Sequence, residues 1–123
     1  MILPQFDVSA IRQGHCYLVD LNPPRGSKPG KVRPAMVVQS QKTIATGSPA
    51  IAVVPLTSVI DDPDATRVHV RPGPGLLLEK PSDILIYQLQ TLDRQFFYRD
   101  LGKVSSEIFE KVKAGLRVYL DLY

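Results

Sequence analysis

Cysteine and long apolar runs are almost absent from this chain of 123 residues. Cys16 is the only cysteine, which excludes an intramolecular disulfide. No apolar run approaches the roughly 20 residues of a membrane-spanning helix, and the first ten residues lack the basic and apolar regions of a secretory signal. The two histidines, His15 and His69, lack zinc-ligand spacing, so we expect no metal site. We therefore expect a cytoplasmic protein without a membrane segment.

The composition predicts one small domain that is mainly β. Hydrophobic residues make up 44% of the chain and charged residues 22%, which is enough apolar material for a single core. Eleven prolines and eight glycines break the apolar segments into short stretches, and such stretches favour strands over helices. We expect an irregular N-terminal arm at residues 1–13 and a single domain at residues 14–123.

The order of apolar stretches and turns predicts a small antiparallel barrel or curled sheet, with a helix at the C-terminal end. The predicted strands are His15–Leu21, Ala35–Gln39, Ala50–Leu56, Arg67–Arg71 and Ile84–Leu89. The second and third should pair as an antiparallel hairpin, because too few residues separate them for a parallel crossover. Ser105 should cap the helix, and its apolar stripe should pack on the core. That stripe consists of Phe109, Val112, Leu116 and Tyr119.

Positive charge is concentrated in one segment. The net charge is only +3, but five basic residues and no acidic one lie between positions 21 and 42. They are Arg25, Lys28, Lys31, Arg33 and Lys42. Much of this segment is rich in proline and glycine, which predicts an exposed cationic loop suited to phosphate contacts.

Residues 14–34, GHCYLVDLNPPRGSKPGKVRP, resemble the opening signature of the MazF/PemK toxin family. The shared features are a strand of the G-x-x-x-x-V-D-L type, a turn with proline, the pair G-S and the pair R-P. The resemblance continues through AMVV at 35–38, AVVPLTS at 52–58, QLQTLD at 88–93 and the closing LGKVS. It therefore covers nearly the whole chain from residue 14 onward.

The resemblance implies an SH3-like β-barrel that forms a homodimer and is silenced by a MazE-like antitoxin. It also implies an mRNA interferase: an endoribonuclease that cuts single-stranded RNA without a metal or other cofactor, leaving 2′,3′-cyclic phosphate and 5′-hydroxyl ends. Residue by residue, the family's catalytic arginine falls on Arg33 and its catalytic threonine on Thr57. The RNA-binding residues that we expect are Arg25, Lys28, Lys31, Ser58, Gln88 and Thr91.

The chemistry of RNA cleavage suits this pair of catalytic residues. When the ribose 2′-oxygen attacks the neighbouring phosphate, negative charge develops that a guanidinium can stabilise through two aligned donors. An arginine is too weak an acid to serve as a general base, so Arg33 should act as an electrostatic clamp. Thr57 would hydrogen-bond the phosphate and position it.

Two departures from the family leave the proton transfer open. Many members carry a glutamate where this chain has Lys28, and an acidic residue where it has Tyr87. Either positioning and charge suffice, or another group such as Tyr87, Ser58 or His15 substitutes. Two other functions stay open. A CcdB-like topoisomerase poison would resemble MazF in fold, and a catalytically inactive RNA-binding barrel would follow from Lys28 and Tyr87 in place of the usual acids.

Overall fold

The computed structural model describes residues 10–21 and 32–123. Within them the chain forms seven strands and two α-helices. The strands are β1 (His15–Asp20), β2 (Val32–Val37), β3 (Ala50–Thr57), β4 (Arg67–Val70), β5 (Ser82–Leu85), β6 (Gln90–Asp93) and β7 (Phe97–Lys103). The helices are α1 (Gln41–Ala45) and α2 (Ser106–Leu120), and two single 3₁₀ turns lie at Ile86–Gln88 and Arg94–Phe96.

All strand pairings in the described residues are antiparallel. The sheet order is β4-β5-β3-β2-β1-β7, and β6 pairs with the first half of β3. The predicted hairpin of the second and third strands is confirmed, with Ala35 opposite Pro55 and Val37 opposite Val53. Its first strand begins and ends earlier than predicted. The mainly β antiparallel fold with a C-terminal helix is likewise confirmed.

The predicted strand at Ile84–Leu89 is wrong beyond Leu85, where a 3₁₀ turn follows. The reason is that β5 and β6 both pair with β3. Ile84 lies opposite Leu56 and Gln90 opposite Val53, so the chain advances six residues while β3 advances three. The 3₁₀ turn takes up the three additional residues.

The SH3-like barrel that the resemblance implied is not closed, because β4 and β7 do not pair with each other in the described part of the chain. Pro72 and Pro74 follow β4, and proline has no N–H to donate to a ladder. The loop after β4 reaches β7 through an isolated bridge between Leu76 and Gly102 instead. Gly102 has φ +107°, and a Cβ there would collide with the carbonyl oxygen of Gly75. Glycine is therefore required at this contact.

Apolar side chains cover both faces of the sheet. One buried cluster lies under α2 and includes Met36, Val54, Leu56, Ile84 and Val112. The other includes Ile11, Tyr17, Val37, Ile51 and Phe97 and is covered by Ile44 of α1. Cys16 is buried, and desolvation raises the pKa of its thiol to about 12.

Helix α2 begins as predicted, with Ser105 Oγ accepting the backbone N–H of Ile108 at 3.2 Å. The apolar stripe packs on the core through Val112, with Leu116 partly buried. Its last member does not, because Tyr119 is 45% exposed and donates its hydroxyl to the carbonyl of Tyr87. No helix in the described residues is long and apolar enough to cross a membrane.

Candidate active site

Arg33 and Thr57 are brought to the same end of the β2–β3 hairpin. The β2–β3 ladder ends at Ala35 opposite Pro55, and Arg33 and Thr57 each lie two residues beyond that pair on their own strands. Arg33 pairs with Val19 of β1, and Thr57 pairs with Asp83 of β5. The sequence thus contained enough information to predict their proximity, through the pairing of the two apolar strands.

A cleft of about 510 Å³ opens at this end of the hairpin. Arg33, Thr57 and Ser58 line it, together with residues of β1, β7 and the loop before β5. The complete lining is Leu18, Val32, Arg33, Pro34, Leu56, Thr57, Ser58, Val59, Leu77, Leu78, Glu79, Lys80, Ser82, Arg99 and Leu101. Three of the sequence-predicted site residues therefore share one concave surface.

The polar groups of Arg33 and Thr57 are available to a ligand of the cleft. Thr57 Oγ1 accepts the backbone N–H of Val59 at 3.1 Å, and because the oxygen is the acceptor there, its own proton can be donated. Within residues 10–21 and 32–123, no carboxylate forms an ion pair with Arg33. An arginine without a carboxylate partner in this part of the protein can bind an oxyanion with its fork of donors.

Sequence reasoning missed three charged residues that line the cleft, Glu79, Lys80 and Arg99. Arg99 lies on β7 opposite Leu18, which in turn lies opposite Pro34 next to Arg33. Assigning β7 as a strand would have predicted this approach. Glu79 and Lys80 sit on the irregular loop before β5, whose course no local pattern predicts. Glu79 is the only carboxylate among the described residues of the lining.

The other predicted RNA-binding residues are not seen at the cleft. Arg25, Lys28 and Lys31 lie outside the described residues. Gln88 and Thr91 are exposed, and neither lines the cleft. Thr91 pairs with Ala52, five residues before Thr57, a separation of about 16 Å along a strand.

The two histidines do not form an acid–base pair, because each contacts its own carboxylate. His15 Nδ1 lies 3.1 Å from Asp100 Oδ1, and His69 Nδ1 lies 3.1 Å from Asp83 Oδ1. His15 lines a separate depression of about 390 Å³. Of the three groups considered as substitutes for the family's acids, Ser58 lines the cleft, whereas His15 and Tyr87 do not.

A buried carboxylate lies beside Thr57 on the neighbouring strand. Asp83 on β5 is opposite Thr57 on one side and His69 on the other. Desolvation acts to raise the pKa of the Asp83 carboxyl, but hydrogen bonds from the Asp61 backbone, Arg67 and His69 hold it below its ordinary value. The carboxylate therefore stays ionised at neutral pH. In the described part of the chain, no three His, Cys, Asp or Glu side chains converge as metal ligands would.

The sequence profile of the family described as "PemK-like, MazF-like toxin of type II toxin-antitoxin system" matches residues 12–120 of this chain. The chain belongs to this toxin family. A protein named Endoribonuclease MazF from Staphylococcus saprophyticus is 31% identical over 114 residues, which cover 92% of this chain and 93% of that protein. The resemblance that the sequence indicated is thereby confirmed.

Solved structures of MazF toxins share the fold. The Mycobacterium tuberculosis toxin MazF-mt6 superposes with a TM-score of 0.71 at 18% identity, covering 89% of this chain and 98% of that one. A mycobacterial endoribonuclease in complex with its cognate antitoxin gives a TM-score of 0.72 at 21% identity, covering 93% and 98%. The open antiparallel sheet with α2 on one face is thus a MazF-like fold.

Proposed function

We propose that this toxin is an endoribonuclease that cuts single-stranded RNA at the cleft of Arg33 and Thr57, without a metal ion. The observation that carries the proposal is the position of these two residues, which both lie two residues beyond the last pair of the β2–β3 ladder and line the same cleft. Membership of the MazF-like toxin family and the name of the staphylococcal relative support the reaction class.

In the proposed reaction the 2′-oxygen of a ribose attacks the adjacent phosphorus, and the bond from phosphorus to the 5′-oxygen of the next nucleotide breaks. The 2′-hydroxyl loses its proton and the departing 5′-oxygen takes one up, so the products are a 2′,3′-cyclic phosphate and a 5′-hydroxyl. Arg33 stabilises the charge that develops on the phosphoryl oxygens, and Thr57 donates a hydrogen bond to hold the phosphate. Lys80 and Arg99 contribute further positive charge to the same surface.

Glu79 is our candidate for the group that accepts the 2′-hydroxyl proton. It lines the cleft with Arg33, and a positioned carboxylate can act as a general base. The family's usual acidic positions hold Lys28 and Tyr87 in this chain, and Tyr87 does not line the cleft. A carboxylate from another loop would supply the missing proton acceptor.

Two macromolecular partners follow from the family. We propose a homodimer, and a MazE-like antitoxin whose acidic segment binds the cationic surface and silences the toxin until translation is to be inhibited. Exposed apolar residues at the end of α2, including Val118, Leu120 and Leu122, offer a surface for the second copy. The molar mass in solution tests the dimer, and loss of antitoxin binding at high salt tests the charge complementarity.

The test of the activity is incubation of the purified protein with a long single-stranded RNA in EDTA, followed by mapping of the cut ends. We expect 5′-hydroxyl ends at a recurring short motif, and about a 100-fold to 1,000-fold lower rate for Arg33→Ala. Arg117→Ala, which removes an exposed arginine of α2, is the matched control and should cleave normally. RNA left intact by the unmodified protein would favour a topoisomerase poison or an inactive RNA-binding protein.

A further inference from the structure

The segment that follows β3 carries two hydroxyl groups of the cleft but has little apolar packing to hold it. Thr57 ends the strand, Ser58 comes next, and both line the cleft. The following two residues are apolar yet exposed, Val59 at 75% and Ile60 at 48%. A segment with few buried contacts opens easily unless hydrogen bonds restrain it. The positions of Thr57 and Ser58 therefore depend on the polar contacts of this segment.

An ion pair on the neighbouring strands supplies those contacts. Arg67 Nη1 donates to Asp83 Oδ2 at 2.8 Å and to the carbonyl oxygen of Val59 at 3.2 Å. The same Asp83 oxygen accepts the backbone N–H of Asp61 at 3.0 Å. The pair thus holds the segment at two points two residues apart. At the end of β3, the backbone N–H of Val59 donates to Thr57 Oγ1 and forms a turn.

Asp83 is buried, and the hydrogen bonds that it accepts give a reason for a carboxylate at this position. Its side chain is fully buried, and an ionised carboxylate is costly to bury unless hydrogen bonds and opposite charge compensate. Both oxygens are satisfied, since His69 Nδ1 lies 3.1 Å from Oδ1 while Asp61 and Arg67 donate to Oδ2. An apolar side chain would fill the position without that cost. It would also leave the segment after Thr57 unrestrained.

We infer that the Asp83–Arg67 pair is a positioning device, which fixes the segment after β3 so that the hydroxyls of Thr57 and Ser58 meet the phosphate bound by Arg33. This inference rests on the proposed function. Asp83 and Arg67 do not line the cleft, so they act through the segment rather than on RNA. Groups held in place before the substrate arrives stabilise the transition state without reorganisation, and a displacement of about 1 Å costs about 100-fold in rate.

Arg67→Lys tests the device, because lysine keeps the charge but its shorter side chain does not place a nitrogen where Nη1 donates to both Asp83 and the Val59 carbonyl. The chain offers a matched control in Arg94→Lys. Arg94 also restrains a connecting segment, donating from Nε to the carbonyl of Ser48 and from Nη2 to that of Ile44, both at 2.7 Å. Arg94 does not line the cleft. Both variants lose guanidinium bonds to carbonyl groups, but only one loses them beside Thr57.

Cleavage of a short RNA that carries the mapped motif, with kcat and KM measured separately, gives the decisive comparison. We expect Arg67→Lys to lower kcat about tenfold or more with KM changed less than about twofold, since phosphate binding by Arg33 persists. Arg94→Lys should lower the melting temperature comparably and leave kcat unchanged. Equal effects of the two variants on kcat, or an effect of Arg67→Lys on KM alone, would overturn the inference.

A measurement that needs no activity separates this inference from the proposed function. Asp83→Asn removes the charge while keeping the size, and the backbone amides of Val59 and Asp61 should then exchange hydrogen at least about tenfold faster. Amide exchange in α2 should not change. Unchanged exchange at Asp61 would overturn the restraint itself. Intact RNA with the unmodified protein would overturn the proposed function and the positioning role, whereas faster exchange would still establish the restraint.

Discussion

The contact between Gly102 and the loop after β4 gives a quantitative prediction for Gly102→Ala. The residue has φ +107°, and an alanine in such a conformation costs about 1–2 kcal/mol. Its Cβ would also displace the backbone of Gly75, which accepts the N–H of Lys103, and would pull on the bond from Leu77 N–H to the Leu101 carbonyl. Losing two hydrogen bonds adds about 2 kcal/mol. We expect a total of about 3–4 kcal/mol, or about 12–16 °C in melting temperature for a domain of this size.

Gly47→Ala is the matched control for Gly102→Ala. Gly47 has φ +90°, but nothing lies within 4 Å of the position of its Cβ. Conformational strain and the altered entropy of the unfolded chain apply to both variants, so the difference between them isolates the collision with Gly75. Urea unfolding followed by circular dichroism measures that difference, provided that the slope with urea stays constant. Equal destabilisation of the two variants would refute the reasoning.

The remaining predictions concern single ionisable groups. Glu79→Gln should lower kcat about 100-fold with little change in KM, while Asp62→Asn, which removes an exposed carboxylate outside the cleft, should cleave normally; equal rates would contradict a general-base role. The pKa of Asp83 is lower in the folded protein than in the unfolded chain, so ionised Asp83 stabilises the fold. That contribution to the free energy of unfolding is complete above the unfolded pKa of about 3.9 and is lost as the pH falls through the folded-state pKa. The difference in free energy of unfolding between the unmodified protein and Asp83→Asn should therefore shrink below about pH 4 in urea titrations. A difference that stays constant with pH would contradict the stabilising role of the ionised carboxylate. Cys16, with its pKa near 12, should resist a thiol reagent at pH 7 in the folded protein and react in urea; fast labelling without urea would contradict its burial.

The parts of the site that the sequence predicted depend on adjacent segments of the chain. The apolar runs of β2 and β3 pair as a hairpin, and this pairing alone brings Arg33 and Thr57 together. The helix cap at Ser105 is a local pattern of the same kind. The prediction that Tyr119 packs on the core was wrong, because helical periodicity does not show where along α2 the contact with the core ends.

The residues that the sequence missed depend on contacts between distant segments. Glu79 and Lys80 reach the cleft because the loop after β4 joins β7 at the bridge between Leu76 and Gly102. Prolines in that loop indicate only that regular pairing ends there. The lack of pairing between β4 and β7 also depends on this distant contact. The sequence therefore did not show that the barrel implied by the resemblance stays open.

In this proposed nuclease, the residues that would bind phosphate and the residue that would accept the proton come from different parts of the fold. The groups that we propose bind phosphate come from strands: Arg33 and Thr57 from the interior strands β2 and β3, and Arg99 from the edge strand β7. The only described carboxylate of the lining, Glu79, comes from a loop joined to β7 by an isolated bridge. Changes in that loop should therefore alter kcat while RNA affinity stays near its original value. Strand changes that move Arg33 should lower both kcat and RNA affinity, because in the proposed reaction the same guanidinium binds the phosphate before and during its cleavage.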